Sequence, residues 1–87
     1  MIYAVIDTNV LVSALITHNP EAATAKVVRH LLERDFIPMY NEDIIAEYAD
    51  VLHRAKFPIL PETADALISY VIENGVNSST NYGNVLL

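Results

Sequence analysis

The first fifteen residues consist of two apolar runs separated by one short polar break. Residues 2–6 are apolar and mostly β-branched, Asp7-Thr8-Asn9 interrupt the run, and residues 10–15 are again mainly apolar. A continuous apolar run with a polar boundary predicts a strand that is buried on both faces, as in a parallel sheet. The second run predicts a short helix, with Thr8 or Asn9 as its N-cap. Asp7 is therefore expected at the carboxyl end of a strand, where open α/β sheets bind their ligands.

The next two elements are a helix and a second strand. Residues 21–34 carry apolar side chains at helical spacing, with charged side chains opposite them, which predicts an amphipathic helix. Residues 36–40 (FIPMY) predict a short strand. Pro38 has no N–H to donate to a neighbouring strand, so it is expected at a bulge or at an open edge of the sheet.

Two further amphipathic helices and a polar segment complete the pattern. Asn41 is the expected N-cap of a helix that ends near Ala55, and residues 62–73 predict another helix that Gly75 terminates. Residues 74–87 contain no charged side chain and show neither a helical nor an alternating period. This segment is interpreted as a disordered tail or, alternatively, as a short strand that ends at 85–87.

This order of elements predicts an α/β fold in which helices flank a parallel sheet. A strand, two helices and another strand make a parallel pair joined by a right-handed crossover. Two strands cannot cover the apolar faces of four helices, so the domain is expected to be incomplete at its C-terminal side. The resulting division is a partial domain over residues 1–73 and an atypical tail over residues 74–87.

Composition and charge narrow the function classes. The 87 residues are 53% hydrophobic, include no cysteine and carry a formal net charge of −6. No apolar run approaches the ~20 residues of a membrane span, and no basic leader precedes an apolar segment, so a cytoplasmic protein without a membrane partner is expected. The acidic balance argues against nucleic-acid binding over the whole surface, but not against a local site where metal ions mask the acids.

Two carboxylates are the candidate metal-binding or catalytic groups, and for each a purely structural role is the alternative. Asp7 at the strand end is either a helix cap or a ligand for a cation. Glu47 borders the apolar face of its helix, next to Val51, and is either a solvated edge residue or an acid directed toward the core side. A β-α-β unit can bring the two together, and hard oxygen ligands suit Mg²⁺ or Mn²⁺. The three histidines are interpreted as surface residues, and Ser13 lacks the surroundings of a hydrolase nucleophile.

Two separated segments carry a resemblance to a known family. Residues 6–15 (IDTNVLVSAL) resemble the opening of PIN domains, most closely the branch of toxin components of toxin–antitoxin systems. Residues 41–48 (NEDIIAEY), with Val51-Leu52 and residues 54–57 (RAKF), are similar to the second motif of that branch. The two segments fall in the family's order and spacing, and the resemblance covers about residues 2–73.

The resemblance implies a parallel α/β fold and a Mg²⁺- or Mn²⁺-dependent endoribonuclease. By the same resemblance Asp7 is the first metal ligand and Glu47 the second, while Thr8 and Asn9 are polar groups at the cofactor site. The implied substrate is RNA, attacked at a phosphodiester by metal-activated water, and the implied partner is an antitoxin protein.

The chain departs from the family pattern after the last predicted helix. PIN domains carry further acids and strands there, whereas no acid follows Glu73 in this sequence. A truncated chain with weak or no ribonuclease activity is therefore expected. The alternative is a non-catalytic remnant that binds itself or an antitoxin. Uncovered sheet edges and helix faces predict a homo-oligomer.

Overall fold

A computed structural model describes residues 2–78 and 85–86, with backbone alone for the last two. The described elements, in chain order, are β1 (Tyr3–Val5), α1 (Thr8–Ile16), α2 (Ala23–Leu32), β2 (Ile37–Tyr40), α3 (Glu42–Leu52), α4 (Pro61–Asn74), β3 (Val76–Asn77) and β4 (Val85–Leu86). None of the helices described is long and apolar enough to cross a membrane.

The described strands form one parallel sheet in the order β3-β2-β1-β4. Tyr3 pairs with Ile37 on one side of β1, and Ala4 pairs with Val85 on the other. The predicted α/β class, a parallel sheet flanked by helices, is confirmed. The sheet has four described strands, of which the sequence pattern predicted β1 and β2 and gave β4 only as the alternative strand ending at 85–87. The strands β3 and β4 are only two residues long and leave no periodic signal.

Of the two positions expected for Pro38, a bulge or an open edge, the open edge was wrong, because β2 lies between β1 and β3. Pro38 is the register partner of Ala4, whereas the pairing with β3 starts one residue later, at Met39. Ile37 donates its N–H to the Ile2 carbonyl, on the β1 side. Backbone groups of successive strand residues point to opposite neighbours, so the missing N–H of Pro38 faces the β3 side before that pairing begins.

Gly75 ends α4, but not through the left-handed conformation usual for a terminating glycine. Its backbone is extended, with φ −102° and ψ −175°. A Cβ at this position would lie 2.3 Å from the Val71 carbonyl oxygen and 2.6 Å from that of Pro38. Glycine is therefore required because the chain passes directly against the backbone of α4 and β2 as it enters β3.

The core lies between the sheet and the helices. Tyr48 and Leu52 of α3 are fully buried, as the helical spacing predicted. Two apolar residues of the predicted amphipathic helices are instead substantially exposed, Leu32 at 54% and Ile72 at 42%. The buried hydrophobic residues that form the main cluster are Ala4, Ile6, Leu11, Val12, Leu31, Phe36, Tyr48, Leu52, Ala64, Leu67 and Val71.

Within residues 74–87, the described part contributes β3 beside β2 and β4 beside β1. Ser78 continues the β3 contact by donating its N–H to the Tyr40 carbonyl, at 2.6 Å. Residues 79–84 and Leu87, which the tail interpretation included, lie outside the described residues.

Candidate functional site

Asp7 lies between the end of β1 and the start of α1. Its backbone is extended, and its Oδ1 accepts a hydrogen bond of 2.8 Å from the Asn9 N–H. Asp7 is therefore the N-cap of α1, and the expectation that Thr8 or Asn9 caps the helix was wrong. The positive end of the helix dipole favours a negative charge at this position, and the carboxylate lies at the carboxyl end of the sheet.

Thr8 joins the start of α1 to Glu47 on α3. The Thr8 side chain is buried, with 7% exposure, and its Oγ1 donates a hydrogen bond of 2.5 Å to Glu47 Oε2. Glu47 itself is an exposed residue on α3. The exposed acid is thus fixed at one oxygen by a group that follows Asp7 directly in the chain.

Tyr48 fixes α3 to the end of β1 from the core side. Its side chain is 1% exposed, and its hydroxyl donates a 2.6 Å hydrogen bond to the Ile6 carbonyl. Burial raises the pKa of the Tyr48 phenol to about 12, and the nearby charges of Glu47 and Asp7 act in the same direction. The phenol therefore stays neutral at physiological pH and keeps the proton that it donates to Ile6.

All four predicted site residues line one cleft of about 410 Å³ at the carboxyl end of β1. Asp7, Thr8 and Asn9 come from the strand–helix junction, and Glu47 comes from α3. The other lining residues are Val5, Ile6, Ile44, Tyr48, Val51, Arg54, Lys56 and Phe57. The fold thus brings together the two carboxylates that are 40 positions apart in the sequence.

The histidines are exposed and none of them lines this cleft, in agreement with their interpretation as surface residues. His30, Glu33 and Asp35 place one ligand atom each within 4.8 Å of one another. This exposed group immediately precedes β2, at the amino end of the strands, so it lies at the opposite edge of the sheet from Asp7.

A family model described as a PIN domain matches residues 3–82, which is most of the chain. The chain belongs to the PIN domain family. Comparison with curated proteins gives no significant match, and neither does comparison with solved structures. The match extends beyond residue 73, where the resemblance read from the sequence ended, and includes β3.

Membership in the PIN family has general functional consequences. PIN domains are nuclease-like proteins that generally use divalent metal ions and commonly bind RNA. In this PIN domain the cleft at the β1 edge contains both acids that the family resemblance assigned to a metal.

The sequence interpretation missed the second role of Tyr48 and the basic side of the cleft. The only available signal for Tyr48 was a tyrosine at a core position of an amphipathic helix, directly after Glu47. Arg54 also pairs with Asp50, four residues earlier, at 2.9 Å. The signal for a basic side was two cations within three residues in an otherwise acidic chain.

Proposed function

We propose that this PIN domain is a divalent-metal-dependent ribonuclease centred on Asp7 and Glu47. One observation supports the proposal most directly. The two carboxylates line the same cleft, and the Thr8 hydroxyl beside Asp7 holds Glu47 by a hydrogen bond. We also propose a toxin role and an antitoxin partner. These two proposals rest on the family resemblance of residues 6–15, 41–48, 51–52 and 54–57.

The donor set fits Mg²⁺ or Mn²⁺. Asp7 uses one oxygen for the Asn9 N–H, and Glu47 uses one for the Thr8 hydroxyl. The second oxygen of each carboxylate has no hydrogen-bond partner among the described residues. Mg²⁺ is commonly held by one or two carboxylates, with water filling its other positions, so these two oxygens are suitable ligands.

The chain's own residues prepare this donor set before any ion binds. The N-cap bond fixes the orientation of the Asp7 carboxylate at the positive end of the α1 dipole. Thr8 restricts the rotamer of Glu47, while Tyr48 holds the α3 backbone against β1. Asn9 adds a neutral, exposed polar side chain at the rim of the cleft. A bound cation would supply charge stabilisation at the phosphate and a water of lowered pKa.

The expected activity of the 87-residue chain is weak. Two carboxylates place a hydrated cation less firmly than a larger set of ligands does, and even a ~1 Å misplacement can cost on the order of 100-fold in rate. Metal binding is therefore the more sensitive test, with RNA cleavage as the second measurement.

The first experiment follows Mn²⁺ binding by the paramagnetic broadening of backbone amide NMR signals. Signals of residues 7–9 and of Glu47 should broaden first, and Asp7→Asn or Glu47→Gln should abolish this selectivity. Glu73→Gln removes an equal charge from an exposed site on α4, outside the cleft, and should leave the broadening pattern unchanged.

The second experiment measures cleavage of a labelled RNA with Mn²⁺, with Mg²⁺ and with EDTA. Slow cleavage that EDTA and Asp7→Asn both abolish is the expected result. Broadening centred elsewhere, or cleavage that survives both treatments, would reject the proposed site.

A further inference from the structure

The turn after α3 contributes basic side chains to the same cleft that contains the acids Asp7 and Glu47. Arg54 and Lys56 both line the cleft from this turn. Its backbone is fixed by two hydrogen bonds, from the Arg54 N–H to the Val51 carbonyl and from the Phe57 N–H to the Arg54 carbonyl. Acidic and basic side chains thus share one cavity.

This placement is notable because cations are scarce in the chain. Five Lys and Arg residues stand against eleven Asp and Glu residues, which gives the net charge of −6. Two of the five cations line this cleft, and the other three, Lys26, Arg29 and Arg34, lie on or beside α2 and do not line it. The cleft therefore combines two of the five cations with the two acids Asp7 and Glu47.

Both cations can contact a ligand without breaking buried structure. The Lys56 ammonium lies 5.2 Å from the centroid of the Phe57 ring and has no carboxylate partner in the described part of the chain. Arg54 pairs with Asp50 at 2.9 Å, but both side chains are largely exposed. An exposed ion pair contributes little to stability, so a phosphate can take the place of Asp50.

We propose that Arg54 and Lys56 form the phosphate-binding side of the cleft and hold the backbone of an RNA strand beside Asp7 and Glu47. This proposal rests on the proposed function, since it assigns the substrate contacts of the same site. Phe57 is half-buried against the core, and Lys56 covers its ring, so Phe57 orients the lysine and is not assigned to base stacking. Contacts to phosphate carry no sequence information, so binding should be sequence-independent and sensitive to salt.

The test measures the fluorescence anisotropy of a short labelled oligouridine in EDTA at increasing salt concentration. Lys56→Gln and Arg54→Gln should each weaken binding and reduce the slope of log K against log salt by about 0.7 per phosphate contact. Lys26→Gln combined with Arg29→Gln is the matched control, because it removes two exposed cations outside the cleft. Binding of a single-stranded DNA of the same length should be weakened by the Arg54 and Lys56 substitutions as RNA binding is.

Failure of this proposal can be distinguished from failure of the metal site. In EDTA, Asp7→Asn should tighten RNA binding, because it removes a repelling charge. The Arg54→Gln, Lys56→Gln double variant should keep the Mn²⁺ broadening pattern of the wild-type chain. The proposal would be overturned if the double variant kept the RNA affinity and the salt slope of the wild-type chain. It would also be overturned if the Lys26→Gln, Arg29→Gln control lost as much RNA affinity as the double variant. Circular dichroism spectra of the compared variants serve as the control for folding.

Discussion

At the scale of single residues, the site depends on Thr8 as much as on the two acids. A buried threonine at the first position of α1 donates to an exposed glutamate on another helix. Without that bond Glu47 would be a mobile surface side chain, because it has no other hydrogen bond within the described residues. Thr8 therefore converts an exposed acid into one with a defined position beside Asp7.

Replacement of Thr8 by valine tests this role, because valine has nearly the same shape and no hydroxyl. We expect Thr8→Val to weaken Mn²⁺ binding by roughly tenfold, since a hydrogen bond to a charged group contributes about 1.5–3 kcal/mol. Thr8→Ser keeps the donor and should restore most of the affinity. Mn²⁺ titrations of the three proteins make the comparison, and an unchanged or tighter affinity in Thr8→Val would show that the bond does not position the ligand.

At the scale of elements, the site is built where β1, α1 and α3 meet. Asp7 belongs to the strand–helix junction, and Tyr48 attaches α3 to the last residues before that junction. At its other end α3 contacts α4, where the two ring nitrogens of His53 face the Ala49 carbonyl and Asp65 Oδ1. These two acceptors raise the pKa of His53, since only the protonated ring donates from both nitrogens.

The junction from α4 to β3 gives the clearest prediction at this scale. Gly75→Ala would place a methyl group against the carbonyl oxygens of Val71 and Pro38, neither of which can rotate away. We expect the free energy of unfolding to fall by about 1–3 kcal/mol, the usual cost of overpacking. Urea denaturation measures this change, with Ala55→Gly as a control for substitution at an exposed position. A loss below about 0.5 kcal/mol would mean that the two backbones separate without strain.

At the scale of the whole molecule, the sequence predicted the elements whose apolar residues recur at helical spacing or form a continuous run. The apolar spacing of α2, α3 and α4 and the continuous apolar run of β1 gave the α/β class and the position of Asp7 at a strand end. The strand β3 was not predicted, and β4 was predicted only as an alternative strand ending at 85–87, because two residues show no alternation and their pairing depends on β2 and β1. The homo-oligomer expected from uncovered edges stays a prediction, which light scattering would test.

The candidate site was predictable only in part for a related reason. Asp7 and Glu47 could be named from their places beside a strand and an apolar helix face. The hydrogen bond from Thr8 to Glu47, and the position of Arg54 and Lys56 in the same cleft, depend on how α1 and α3 pack together. That packing is a long-range property, so no local pattern in the chain encodes it directly.

The ionisation of Tyr48 links the charge of the site to the stability of the whole chain. The pKa of this phenol is about 12 in the folded protein, compared with 10.0 for an unperturbed tyrosine. Because the folded pKa is raised, the stabilising contribution is fully present below pH 10 and is lost as the pH rises toward 12. A shift of this size corresponds to roughly 2–3 kcal/mol, and burial is its largest cause.

Glu47 and Asp7 add to this shift, so the Tyr48 pKa reports the charge at the candidate site. We expect Glu47→Gln to lower the pKa of Tyr48, because it removes negative charge near the phenolate. Ring-signal NMR titrations follow the change, with Tyr48→Phe to assign the signal and Glu73→Gln as the charge-matched control. A Tyr48 pKa that is the same in Glu47→Gln as in the wild-type chain would show that the charge of Glu47 does not act on the phenol.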